Sequence, residues 1–224
     1  MSGFVRKLIF SSVVILLTVN AAAQPIWSRF LSSISGRCVS FPYEMTGRSS
    51  KHPAELVSVC GTVKFQGRCY ILTFGESKMY CDGKTEWLLD EDSKELQITD
   101  AFDEDVDNIN EGSLMNPASI VGHLDRYFLE KSVSSVTENG KALVRVEFVP
   151  KHQSGSVFAI SSLTIWFKDG SPRPVIVRGL FQCANGTRYD FTIPSMTVSA
   201  PAPPQTFWFD EKSLGPGWVV SDMR

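Results

Sequence analysis

The side chains best suited to moving protons in this chain are three histidines, His52, His123 and His152. None sits in a pattern that makes a catalytic set, because His52 falls in a Pro- and Ser-containing loop, His123 in a segment of helical spacing and His152 in a turn. An activated nucleophile needs a base and an orienting group, and no Gly-x-Ser-x-Gly elbow, His-Glu-x-x-His pair, phosphate-cradling glycine loop or Cys/His signature is present. The five cysteines, Cys38, Cys60, Cys69, Cys81 and Cys183, show no Cys-x-x-Cys or metal-ligand spacing. Their odd number leaves at least one thiol unpaired even in an oxidising compartment, and they read as small apolar fillers in or beside strands. The acidic run Asp103-Glu104-Asp105, with Asp107 and Glu111, lacks the ordered ligands of a calcium loop and reads as a solvated linker. Asn185-Gly186-Thr187 fits a glycosylation pattern but is explained more simply as a hairpin turn. The expectation is a protein with no catalytic residues, no metal and no cofactor.

Charge removes another class. The chain carries 22 basic and 24 acidic residues, with no Lys/Arg cluster able to neutralise a row of phosphates, so nucleic acid is not an expected partner. Residues 1–23 have the three parts of a secretory signal: Arg6 and Lys7, an apolar run from Leu8 to Val19, and Ala21-Ala22-Ala23 before Gln24. The run is shorter than the roughly 20 residues of a membrane span, and no cysteine follows it for lipid attachment. The sequence therefore predicts export with cleavage after Ala23, and a single mature domain over 24–224, expected as a soluble monomer.

The elements that would position a binding surface are mostly strands. Val39, Phe41, Tyr43 and Met45 alternate with Ser40, Pro42 and Glu44, and Val57, Val59, Val63 and Phe65 repeat the pattern. Tyr70, Leu72 and Phe74 continue it after Gln66-Gly67, Met79 and Cys81 fall on the same side, and Asp82-Gly83 leads into Thr85, Trp87 and Leu89, then Leu96 and Ile98. The pattern resumes at Val133–Thr137, at Ala142–Val149 after the Asn139-Gly140 turn, at Val157–Phe167, at Pro174–Gln182, and at Tyr189, Phe191 and Ile193. Roughly ten or eleven strands result, a sheet large enough to curl toward a barrel. Two segments have helical spacing instead. One carries Ile26, Trp27, Phe30, Leu31 and Ile34 before Gly36; the other is opened by Asn116-Pro117 and carries Ile120, Val121, Leu124 and Phe128. Each has one apolar stripe, so the economical arrangement is a mainly β fold with helices laid across the concave side of a curved antiparallel sheet. The Pro-rich 199–205 stretch reads as a stiff connector to the C-terminal tail.

The string Tyr80-Cys-Asp-Gly-Lys-Thr-Glu-Trp-Leu-Leu-Asp90, followed by Lys94-Glu-Leu-Gln-Ile98, resembles the periplasmic lipoprotein carrier (LolA) family. Three further segments agree in order: Asn116-Pro117, the late strand Gly186–Ile193, and the closing run from Phe207 to Arg224. The resemblance implies an incomplete, strongly curved antiparallel β-barrel closed by a helical lid around an apolar cavity. It also implies a carrier that shelters lipoprotein acyl chains between an inner-membrane exporter and an outer-membrane receptor in the periplasm. On that reading the acyl-chain cavity is lined by Phe41, Tyr43, Met45, Val57, Val59, Val63, Leu72, Phe74, Met79, Trp87, Leu89, Phe148, Tyr189 and Phe191. The lid carries Trp27, Phe30, Leu31, Ile34, Ile120, Leu124 and Phe128, with Arg29 and Arg37 as candidate latches. Two alternatives share the fold: an envelope sensor that binds a lipidated ligand, and a carrier of another lipid. Every apolar position also has a plain reading as packed core, because core and cavity wall share one alternation.

Overall fold

The computed structural model describes residues 24–48, 56–101, 121, 124–151, 160–170 and 173–224. The first helix, α1 (Ile26–Ile34), forms where the apolar spacing predicts it and buries Ile26, Phe30 and Ile34 on one stripe. It ends before Gly36, whose φ of 65° suits a residue without a Cβ.

The strands are β1 (Cys38–Arg48), β2 (Leu56–Gln66), β3 (Cys69–Phe74), β4 (Ser77–Cys81), β5 (Thr85–Asp90), β6 (Glu95–Asp100), β7 (Phe128–Glu138), β8 (Lys141–Pro150), β9 (Ile160–Lys168), β10 (Val175–Cys183), β11 (Arg188–Thr192), β12 (Thr197–Ser199) and β13 (Val219–Asp222). All thirteen join one sheet in the order β13-β6-β5-β4-β3-β2-β1-β11-β10-β9-β8-β7, with β12 paired to β1. Two consecutive-hairpin halves thus meet where β1 pairs antiparallel with β11. The ends of the sheet, β13 and β7, are not paired to each other, so it is an open sheet and not a closed barrel. The two strands absent from the alternation pattern are the short β12 and β13; β13 pairs parallel with β6, a contact no hairpin signal announces.

Turn chemistry fixes the hairpins. Asn139 and Gly140 both adopt positive φ, 51° and 74°, the conformation that a two-residue turn between β7 and β8 demands. Asp82 accepts from the backbone N–H groups of Lys84 and Thr85, each at 2.8 Å, and so folds the β4–β5 turn.

One correction concerns the second helix. Phe128, expected on a helical lid, is instead the first residue of β7, since the short helix α2 (Leu124–Tyr127) passes directly into that strand. Ile120 and the Asn116-Pro117 start lie outside the described residues, as do residues 1–23, the acidic 103–111 run and all three histidines. The tail does not merely trail from the domain. Its Phe209, Leu214 and Trp218 pack on Trp87, Leu89, Leu96 and Ile98 to make a second hydrophobic core.

Candidate functional site

Directly paired residues of neighbouring strands share a sheet face, so the register says which side chains form one surface. One row runs Phe148–Leu163–Phe181–Tyr189–Gly47–Val57 across β8, β9, β10, β11, β1 and β2. A second runs Val146–Ile165–Gly179–Phe191–Met45–Val59 over the same strands. A third runs Phe41–Val63–Leu72–Met79–Leu88 from β1 to β5, and beside it Tyr43, Gly61 and Phe74 align. All lie on one face, and apart from Val57, Leu88 and the glycines these residues build the main core with α1.

Two glycines let aromatic rings lie flat along these rows. A Cβ at Gly179 would sit 2.0 Å from the Phe191 ring, and one at Gly47 would sit 2.8 Å from the Tyr189 ring. Phe191 also stacks on Phe181, with ring centroids 5.4 Å apart.

Burial along the first row locates the accessible end. Phe148, Leu163, Phe181 and Tyr189 are buried, whereas Val57 is 55 % exposed. The cause is the position of α1: Trp27 meets Phe148 at 5.9 Å and Phe30 meets Phe167 at 5.7 Å, which places the helix over β8 and β9. The Trp27 indole donates to Glu130 on β7 at 2.5 Å, and Arg29 pairs with Asp169 at 2.8 Å. Val59, Phe74 and Met79 are left only partly buried, packed against the main core. Accessible apolar surface on the inner face therefore includes its β2–β4 part, and at the far edge Val133 of β7, paired with Val146, is 48 % exposed.

Its electrostatics are one-sided. The inner-face residues of β1 to β4 are apolar or small apart from Tyr43, Tyr70, Ser77 and Cys81, and those of β5 and β6 are Glu86, Leu88, Asp90, Glu95, Gln97 and Thr99. No lysine or arginine of β1–β6 faces inward; Lys64 and Lys78 project from the other side. The Tyr70 hydroxyl contacts Met79 Sδ at 3.6 Å and donates to Glu86, tying the apolar floor to the first acidic residue. Burial, then the nearby Cys60, pushes the Tyr43 phenol up to about 12. Burial likewise pushes the Cys81 thiol up to about 12, so this inward-facing cysteine is a neutral filler. All five cysteines are free thiols: Cys38, Cys81 and Cys183 buried, Cys69 half-buried and Cys60 exposed.

Of the residues expected to line a cavity, Phe41, Tyr43, Met45, Val57, Val59, Val63, Leu72, Phe74, Met79, Phe148, Tyr189 and Phe191 share this inner face. Trp87 and Leu89 do not. Met79 pairs with Leu88 and Tyr80 with Trp87, so Trp87 and Leu89 point to the opposite face, where the tail covers them. Trp87 there donates to Glu211 at 3.2 Å. The Trp-Leu-Leu triplet offers an apolar residue to either face, so alternation alone could not choose; the pairing of Met79 with Leu88 does. Among the expected lid residues, Phe30 and Ile34 are buried in the core, Trp27 and Leu31 pack half-buried against it, and Phe128 faces Phe148 from β7 at 6.5 Å. The backbone of Leu124 lies in α2. Arg37 donates to the Ser199 carbonyl at 2.8 Å. Leu88 was missed on this surface, and Tyr70, read on the alternating apolar face, was not among the residues expected to line the cavity.

No family model matches the chain, and no curated protein matches it. Solved structures do. An uncharacterized conserved protein from Thermus thermophilus is similar over 89% of this chain and 98% of its own, at 11% identity and a TM-score of 0.52. A LolA superfamily protein from Nitrosomonas europaea is similar over 84% and 97%, at 11% identity and a TM-score of 0.44. An outer membrane lipoprotein-sorting protein domain from Vibrio parahaemolyticus is similar over 81% and 94%, at 11% identity and a TM-score of 0.41. At such identities the likeness is one of fold alone.

Proposed function

We propose that this chain is an exported carrier whose inner sheet face shelters the acyl chains of lipoproteins and moves them through the periplasm from the inner to the outer membrane. An inner-membrane exporter would load it and an outer-membrane receptor would unload it. The observation that carries this reading is the apolar strip of exposed Val57 and half-buried Val59, Phe74 and Met79, the last three packed against the main core, with no inward cation on β1–β6. Each buried methylene of an acyl chain is worth roughly 0.8 kcal/mol, so a lipid-modified protein does not cross water without such cover. Nothing in the strip performs chemistry; its task is burial and release, which a half-exposed, adaptable lining suits better than a closed core.

The test is a release assay, in which purified protein is added to inner-membrane vesicles and soluble acylated cargo is measured. Phe74→Asp or Met79→Asp places an unpaired charge against the hydrocarbon, at a cost of roughly several kcal/mol by the burial of an uncompensated ion, and release should be abolished while the fold persists. Folded variants that release cargo as the wild type does would refute the reading.

A further inference from the structure

The opposite face of the sheet, over β7–β11, holds an assembly that acyl binding does not use. Trp166 on β9 is 6 % exposed and stands directly between Arg145 of β8 and Arg178 of β10 in the strand register. The Arg178 guanidinium lies 4.6 Å from the Trp166 ring centroid and that of Arg145 lies 6.0 Å away. Arg178 donates to Asp190 at 2.9 Å and reaches Glu138 at 3.7 Å, Arg188 reaches Asp190 at 3.6 Å, and Glu147 is shared by Arg145 and Lys131. Among the described residues four cations therefore share three carboxylates, leaving one positive charge in excess.

The same assembly contains two orphaned donors. Trp166 Nε1 and Arg145 Nε are both buried, and neither has an acceptor among the described residues. Buried N–H groups without acceptors are rare, because desolvation is then uncompensated. These two belong to residues directly opposite each other in the β8–β9 ladder, with the Arg145 guanidinium 6.0 Å from the Trp166 ring centroid.

We infer that this face binds a single anionic oxygen ligand, a carboxylate or phosphate, between Trp166 Nε1 and Arg145 Nε. One monoanion satisfies both orphaned donors and neutralises the excess charge. The Arg145 side chain, 40% exposed, is the group that moves to admit it. Two sources supply this chemistry: a free ion, or an acidic side chain of a partner protein. The inference does not depend on the acyl-binding reading, since the two surfaces are opposite faces of the sheet.

The experiment follows the indole N–H resonance of Trp166, assigned with Trp166→Phe, in 15N-labelled full-length mature protein. Inorganic phosphate and an oligoglutamate peptide are titrated separately at constant ionic strength. The expected result is a saturable shift of Trp166 with the other four indoles unmoved, weakened about tenfold or more in Arg145→Gln by loss of a charged donor. Saturation at much lower peptide than phosphate concentration identifies a partner's acidic segment; equal concentrations identify a free ion. A linear drift without saturation, or a shift unchanged by Arg145→Gln, overturns the inference.

Discussion

Replacing Gly179 by alanine tests whether β10 and β11 are packed by an aromatic ring that lies on glycine. The new Cβ would stand 2.0 Å and 2.3 Å from two ring carbons of Phe191, a separation no side chain tolerates. Phe191 is 2 % exposed and stacked on Phe181, so it has no free direction in which to move. Overpacking of a filled core costs about 1–3 kcal/mol, and loss of the stacked ring pair adds about 0.5–1.5 kcal/mol, giving about 1.5–4.5 kcal/mol in all. For a domain of this size each kcal/mol lowers Tm by about 2–4 °C. Urea and thermal unfolding of Gly179→Ala should show a loss of that order. Gly215→Ala, where a Cβ meets nothing within 4 Å, should stay within about 0.5 kcal/mol of wild type as an ordinary surface change. A Gly179→Ala protein as stable as the Gly215→Ala control would refute the register and the packing argument together.

The second core should be separable from the acyl surface: Trp87→Ala removes a ring packed with the C-terminal tail and should cost about 3–5 kcal/mol in unfolding experiments, yet leave cargo release per folded molecule unchanged. Stability should also fall at high pH. Cys81 and Tyr43 both have pKa values raised to about 12 on folding, from 9.0 and 10.0, so the native state is favoured fully below pH 9. That advantage is lost as pH climbs from about 9 toward 12, because the unfolded chain ionises first. Cys81→Ala should flatten the first part of the decline in pH-dependent urea denaturation.

Much of the sheet was legible because a half-buried strand must alternate, and β1, β2 and β3 do so over Val39–Met45, Val57–Phe65 and Tyr70–Phe74. The Asn139-Gly140 and Asp82-Gly83 turns were legible for a different reason, since their backbone geometry restricts residue type. Legibility failed where one segment satisfied two environments. In β5 the Trp87-Leu88-Leu89 triplet serves both faces, and only the pairing of Met79 with Leu88 decides which side chain looks inward. Near Phe128 helical spacing ran on into a strand, because an apolar residue at that position fits the helical stripe as well as the strand face it takes against Phe148. The tail's second core and β13 were hidden for a topological reason. A parallel contact between Val219–Asp222 and Glu95–Ile98 joins segments more than a hundred residues apart, with no local signal. The Trp166 assembly was unreadable too, because its residues come from five strands and meet only through register.

The most direct test of the central claim is native mass spectrometry of the protein isolated from its own cell envelope without detergent. The account predicts a population carrying an added mass that fragments to acylated peptide, and loss of that population in Phe74→Asp with the folded mass retained. Protein recovered only in the unliganded form, or carrying the same acylated mass in wild type and Phe74→Asp alike, would contradict it.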